Sequence, residues 1–314
     1  MMEPALHHLD CPDANGGHRM AYWQWGRADS GHVVLCVHGL SRQGRDFDML
    51  ARALCEASEK KGGGFRVVCP DVVGRGESDW LKDAMGYQLP LYAADMLALL
   101  AHLHADCPIT TLDWVGTSMG GLIGIVVAGM PHRANGKDEA GRAAPAIQKL
   151  VLNDVGPAIE WEALVRIGRY LGQAGEFDSV QQAADAMWAI SGGFGPHTPA
   201  QWLALSRPML KPVAKGEAGK YRLHYDPAIA VPFRQATEAA TQQGAAMLWQ
   251  LYDTVKAEIL LLRGAESDLL SQETAHAMTQ RGPHARLVAF AGVGHAPTLI
   301  ADDQIAAVTN FLLS

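Results

Sequence analysis

The stretch best suited to chemistry in this chain is Gly116-Thr117-Ser118-Met119-Gly120. It follows the β-rich Thr111-Leu112-Asp113-Trp114-Val115 and precedes an apolar run from Leu122 to Ala128, so it reads as strand, tight turn and helix with one serine at the tip. A turn that sharp needs glycine two residues before and two after the serine, because a side chain at either place would strike the neighbouring strand or helix. The hydroxyl is thereby pushed out to where a substrate can reach it. The chemistry expected of Ser118 is nucleophilic attack.

A serine needs a base, and the base needs a group to hold its tautomer. His295 is the expected base, because it sits in Gly292-Val293-Gly294-His295, between a strand-like run and the last helical segment. Asp268 is the expected acid, just past the strand-like Ile259-Leu260-Leu261-Leu262. Glu266, on the same loop, and Asp154, at the end of the preceding strand, are the alternatives. Asp154 is equally suited to capping the turn before Gly156-Pro157. Acyl transfer also requires donors for the developing oxyanion. The amide of Met119 opens the helix after Ser118, where unpaired N–H groups favour an anion, and the amide of Leu40 follows His38-Gly39 as the chain leaves another strand. Just beyond, Arg42 and Arg45 are candidate contacts for a substrate carboxylate, although both also suit surface ion pairs.

These residues need a scaffold that delivers them to one edge. Runs over 19–25, 33–37, 65–69, 111–115, 147–152, 258–262 and 286–290 read as strands, and segments near 46–60, 90–105, 118–130, 272–280 and 302–313 have helical spacing. That alternation predicts an α/β fold, a mostly parallel sheet with helices on both faces, whose strand C-terminal ends carry the site. The earliest strands, joined across 11–18, read as a hairpin at one edge. The alternation breaks after Asp154, and residues 158–245 have helical spacing without a convincing strand pair, too long for an ordinary connection. A core of 1–157 and 246–314 with an inserted helical cap at 158–245 is therefore expected. Trp161 and Trp188, with Trp202, Trp249, Met187, Met209, Phe194 and Phe233, are too many large apolar residues for a small cap to bury, so some are expected to line a pocket suited to compact acyl groups. A polar stretch over 131–145 reads as a surface loop.

Together, His38-Gly39, Asp71-Val72-Val73-Gly74-Arg75-Gly76-Glu77-Ser78, Gly116 to Gly121, Asp268 and Gly294-His295 resemble, in order and across nearly the whole chain, the α/β-hydrolase fold superfamily with a helical cap. The resemblance implies Ser118 as nucleophile, Asp268 as acid, His295 as base and the 158–245 insertion as a lid. Haloalkane dehalogenases and epoxide hydrolases of this fold have aspartate where Ser118 stands, which disfavours both chemistries. The expected activity is a serine hydrolase cleaving an ester, thioester or lactone of a small apolar molecule through an acyl-enzyme. A carbon–carbon hydrolase of the meta-cleavage type and a small-ligand receptor on the same fold are the alternatives.

Composition bounds the partners. The 314 residues, 48% hydrophobic, can fill a sizeable core. With 26 basic against 33 acidic residues, a net charge of -7 and no Lys/Arg-rich run, neither a nucleic-acid nor an anionic-membrane surface is indicated. No span of about 20 apolar residues and no leader-like start occurs, so a cytoplasmic protein acting on a small molecule is expected. Five scattered cysteines read as free thiols, and no phosphate loop, dinucleotide fingerprint or zinc motif occurs, so neither cofactor nor metal is expected.

Overall fold

A computed structural model describes residues 3–130, 146–173, 175–213 and 219–314. The expected 131–145 loop lies outside the described residues. The chain opens with β1 (Ala5–Cys11) and β2 (His18–Gly26), the edge hairpin, and continues through β3 (His32–Val37), α1 (Asp48–Lys60) and β4 (Arg66–Asp71). Then come α2 (Leu89–Asp106), β5 (Thr111–Thr117), α3 (Met119–Gly129) and β6 (Ile147–Asn153). An insertion follows, with α4 (Trp161–Tyr170), β7 (Glu176–Phe177), α5 (Val180–Ile190), α6 (Pro199–Ser206), β8 (Leu210–Pro212), β9 (Tyr221–Leu223) and α7 (Ala230–Gln235). The chain then returns through α8 (Glu238–Thr254), β10 (Glu258–Gly264), α9 (Gln272–Gln280), β11 (Arg286–Phe290) and α10 (Asp302–Leu312).

The main sheet runs β1-β2-β4-β3-β5-β6-β10-β11. The first two pairings are antiparallel and all later ones parallel, so the expected mostly parallel sheet and its edge hairpin are both present. Central strands such as β3, whose Val33 to Val37 are all buried, carry continuous apolar runs because helices cover both faces. Leu50 and Leu54 of α1 pack with Val308 and Phe311 of α10 on one face. On the other, Met96 of α2, Ile123 of α3, Tyr252 of α8 and Met278 of α9 share a second cluster. The hairpin is pinned to α2 by His18, whose ring nitrogens lie 3.0 Å from Asp13 and 3.1 Å from Asp95. Burial opposes protonation there, but the hydrogen bonds to Asp95, Cys11 and Asp13 outweigh it and lift the His18 pKa to about 10.

Two features of the insertion differ from the sequence reading. It contains a small antiparallel sheet, β7-β9-β8, made of strands two and three residues long, too short to show an alternating pattern. Its C-terminal limit also falls earlier, because α8 spans the expected 245/246 boundary as one helix and packs along α3, where Thr254 Oγ1 donates to Gly129 O at 3.0 Å. The insertion has a small core of its own, with Ala183, Ala184, Trp202, Leu205 and Met209 buried together. Among the described residues no helix is long and apolar enough to cross a membrane.

Candidate active site

Ser118 stands at the C-terminal end of β5 with φ 51° and ψ -117°, a backbone conformation that L-residues avoid. The glycines around it are required by contact. A β-carbon on Gly116 would lie 2.4 Å from Gly120 O, and one on Gly120 would lie 2.0 Å from Val37 O. The bend therefore closes only with no side chain at either position, and it lifts the half-buried Ser118 hydroxyl above the sheet edge.

His295 comes from the loop between β11 and α10, and its Nε2 lies 3.0 Å from Ser118 Oγ. Its Nδ1 lies 2.8 Å from Asp154 Oδ2. A carboxylate only accepts, so Nδ1–H is the donor and Nε2 is left to accept from the Ser118 hydroxyl. Asp154 is fully buried and has φ 55°, which turns its side chain back toward the sheet edge directly after β6, the neighbour of the serine strand. Gly264 N donates to its Oδ1 at 2.8 Å and Ser267 Oγ to its Oδ2 at 2.6 Å.

The expected acid is thus not the one against the imidazole. Asp268 is 50% exposed and turned outward, where Arg166 of α4 meets it through Nε at 2.7 Å and Nη2 at 2.8 Å. The reason is local: the loop after β10 turns Gly264 N and Ser267 Oγ toward Asp154, which stands against His295, and leaves Asp268 to pair with Arg166. Glu266 of the same loop is exposed as well.

Gly39 borders the serine, since a β-carbon there would sit 3.6 Å from Ser118 Cβ. Its carbonyl accepts from His38 Nδ1 at 2.7 Å and from Arg42 N at 3.1 Å. With that oxygen held on one side, the Leu40 N–H of the same planar trans peptide points to the other. Burial pushes the His38 pKa down to about 3, so the ring is neutral, and its Nε2 accepts from Val72 N at 2.9 Å. Beneath the loop lies Arg75, fully buried, with Nε donating to Leu40 O at 2.8 Å and Nη1 to Val73 O at 2.7 Å. Its Nη2 reaches Met119 Sδ at 3.6 Å. One guanidinium thus touches both residues expected to supply oxyanion donors. The motif holding Arg75 stood out in the sequence, but nothing there told which way its side chain would turn.

Above the serine is a cavity of about 410 Å³, within the size range of small-molecule sites. Gly39, Leu40, Ser118 and His295 form its floor, and Ile167, Tyr170, Met187, Ile190, Phe194 and Leu223 of the insertion contribute apolar roof. The roof is tied down close to the site: Gly294 N donates to Gly193 O at 2.6 Å, His197 Nε2 lies 2.8 Å from Thr298 Oγ1, and Asp226 N donates to Gly74 O at 2.7 Å.

Of the expected pocket residues, Met187, Met209 and Phe194 do line this cavity, whereas Trp161 and Trp188 do not. Trp188, 39% exposed, packs edge-on against Trp202 at 4.9 Å on the outside of the insertion's core. Arg42 borders the cavity but is held by Asp46 at 2.6 and 2.8 Å. Arg45 lies outside it, paired with Asp48 and stacked 4.8 Å over the Trp23 ring. Arg166 and Tyr170 were not anticipated. Their four-residue spacing on one helix face was the available signal.

Comparison with known proteins agrees with this architecture. Residues 34–308 match the model of the alpha/beta hydrolase family. A 3-hydroxybutyrate-oligomer hydrolase from Cupriavidus necator is 44% identical over 98% of this chain and 97% of its own length. Among solved structures, an alpha/beta hydrolase from Novosphingobium aromaticivorans is 34% identical, with a TM-score of 0.78 over 100% of this chain and 99% of that one. An esterase from Mycobacterium tuberculosis shares the fold at 22% identity, with a TM-score of 0.65 over 99% of this chain and 92% of that one. On the family match, the near full-length relative and the shared architecture, the chain belongs to the alpha/beta hydrolase family.

Proposed function

We propose that this protein is a serine ester hydrolase that cleaves short linear oligoesters of 3-hydroxybutyrate. The observation that carries the chemistry is the relay Ser118 Oγ, His295 Nε2, His295 Nδ1 and Asp154 Oδ2, with spacings of 3.0 and 2.8 Å. Support for the substrate comes from the Cupriavidus necator relative, together with a pocket that is mostly apolar and of small-molecule size.

In this reading Ser118 Oγ attacks the ester carbonyl carbon as His295 Nε2 takes the hydroxyl proton. Asp154 accepts from Nδ1–H throughout, holding the tautomer and stabilising the imidazolium. The carbonyl oxygen becomes an oxyanion facing the Leu40 and Met119 amides, each such donor being worth about 2.7–4 kcal/mol in the transition state. Collapse breaks the ester C–O bond, and His295 returns its proton to the departing alcohol, the hydroxyl end of the next unit. Water then attacks the acyl-enzyme, gives its proton to His295, and frees the acid and Ser118. The insertion serves as the lid that shields these steps from bulk water.

The test is turnover of 3-hydroxybutyrate trimer followed by chromatography of dimer and monomer, with wild type and Ser118→Ala. Many equivalents of product from wild type and none from the variant are expected. Product stalling at one equivalent would instead indicate a receptor, and turnover of meta-cleavage dienoates without that of esters a carbon–carbon hydrolase.

A further inference from the structure

The cavity has two arginines in its lining, Arg42 and Arg166, and they differ in what holds them. Arg42 pairs with Asp46, and the two side chains are only 13% and 18% exposed. Drawing Arg42 away would leave an unpaired carboxylate in a poorly solvated place, a strongly unfavourable state. Arg42 is therefore committed. Arg166 pairs instead with a carboxylate that is 50% exposed, so water can take over the solvation of Asp268 when the guanidinium turns to another anion. The pair uses only the Nε and Nη2 edge, and with one more N–H turned to the Tyr170 hydroxyl the five-donor fork still has hydrogens left for a second acceptor.

One turn along α4, Tyr170 lines the same cavity, with its hydroxyl next to the Arg166 guanidinium. Burial raises its pKa, which keeps the phenol protonated and able to donate. A guanidinium and a phenol on one helix face, set among apolar side chains, suit a single carboxylate.

We propose that Arg166 and Tyr170 form a carboxylate subsite in the roof that binds the free acid end of a short hydroxyacid oligoester. The substrate class rests on the oligoester reading above. Such a molecule ends in a hydroxyl on one side and a carboxylate on the other, and between them has only neutral esters and methyl groups. Its acid end is the one charged feature that distinguishes a short oligomer from the interior of a polymer. In the hydrolysis, this end belongs to the departing alcohol, so the subsite selects cleavage near the acid terminus. Asp268 acts as an internal competitor, and its removal strengthens the subsite.

The experiment compares 3-hydroxybutyrate trimer as free acid and as methyl ester, each measured as a competitor of p-nitrophenyl butyrate hydrolysis, in wild type, Arg166→Gln and Asp268→Asn. The inhibition constant reads binding whether or not the trimer is cleaved. Wild type should favour the acid. Arg166→Gln should lower that preference by about tenfold, the loss of one charge-assisted bidentate contact at a partly solvated site. Asp268→Asn should raise it severalfold. Equal binding of acid and ester in wild type, no change of preference in Arg166→Gln, or a fall in Asp268→Asn would overturn the subsite. The two readings fail separately: the expected pattern without cleavage of the trimer keeps the subsite and refutes the oligoester function, whereas cleavage with no acid preference does the reverse.

Discussion

Replacing Asp154 with asparagine tests the proposed relay at its least expected member. Oδ1 accepts from Gly264 N, while Oδ2 accepts from both Ser267 Oγ and His295 Nδ1. An amide NH2 in the Oδ1 place would face the Gly264 N–H, donor against donor, so the NH2 must take the Oδ2 place. There one hydrogen reaches His295 Nδ1, while the other faces Ser267 Oγ, which already accepts from Leu269 N and Leu270 N and loses the acceptor of its own hydroxyl. The variant should fold with one hydrogen bond of Ser267 lost, but its imidazole carries the proton on Nε2 and cannot accept one from Ser118. The same tautomer fault costs about 10⁴ in kcat in a serine protease, which is about 5 kcal/mol of transition-state stabilisation. The assay is initial-rate hydrolysis of p-nitrophenyl butyrate by Asp154→Asn and Asp268→Asn, with thermal melts to verify folding. Asp154→Asn should fall by about four orders of magnitude and Asp268→Asn should stay within about tenfold of wild type. A folded Asp154→Asn variant with more than about a hundredth of wild-type kcat, or an equal loss in Asp268→Asn, would refute the assignment.

Ser118→Gly should abolish hydrolysis, yet raise stability relative to Ser118→Ala by about 1 kcal/mol, because glycine relieves the positive φ; chemical denaturation of the two inactive variants checks this. Gly120→Ala should not yield folded protein, since its β-carbon would meet Val37 O at 2.0 Å, as soluble expression and circular dichroism would reveal. Arg75→Lys keeps the charge but cannot span Leu40 O, Val73 O and Met119, so kcat should fall by about tenfold to a hundredfold, short of losing an oxyanion donor outright, with KM changed far less; an effect confined to KM would contradict this. His18 has a folded-state pKa of about 10 against 6.5 unfolded, so its contribution is complete below pH 6.5 and is lost as pH rises toward 10. Wild type should therefore lose melting temperature across that interval more steeply than His18→Gln, and parallel slopes would remove His18 as the cause.

Much of this was legible in the chain because the signals were local. The runs that form the six parallel strands are short and bounded by turns, and Ser118 and His295 are each marked by glycines within two residues. The carboxylate that faces His295 was not legible in the same way. Asp154 and Asp268 both follow buried strands, and what separates them is the backbone turn at Asp154 and the donors facing it from another loop, both tertiary facts. The insertion was misread for a different reason. Strands of two or three residues have no measurable period, and α5 turns Met187 to the insertion's core and the cavity but leaves the adjacent Trp188 exposed, so composition cannot tell Trp188 from Met187.

The ties between roof and floor bear on how this protein can be rebuilt. Gly193 O receives the amide of Gly294, the residue before His295, and His197 meets Thr298 a few residues beyond it. The segment that roofs the cavity also braces the loop that holds His295. The roof is consequently a poor interchangeable module. A chimera that borrows 158–237 from a relative inherits new walls but loses the brace, and its turnover should drop even on substrates that fit. Transplanting the 291–298 loop together with the roof should restore it.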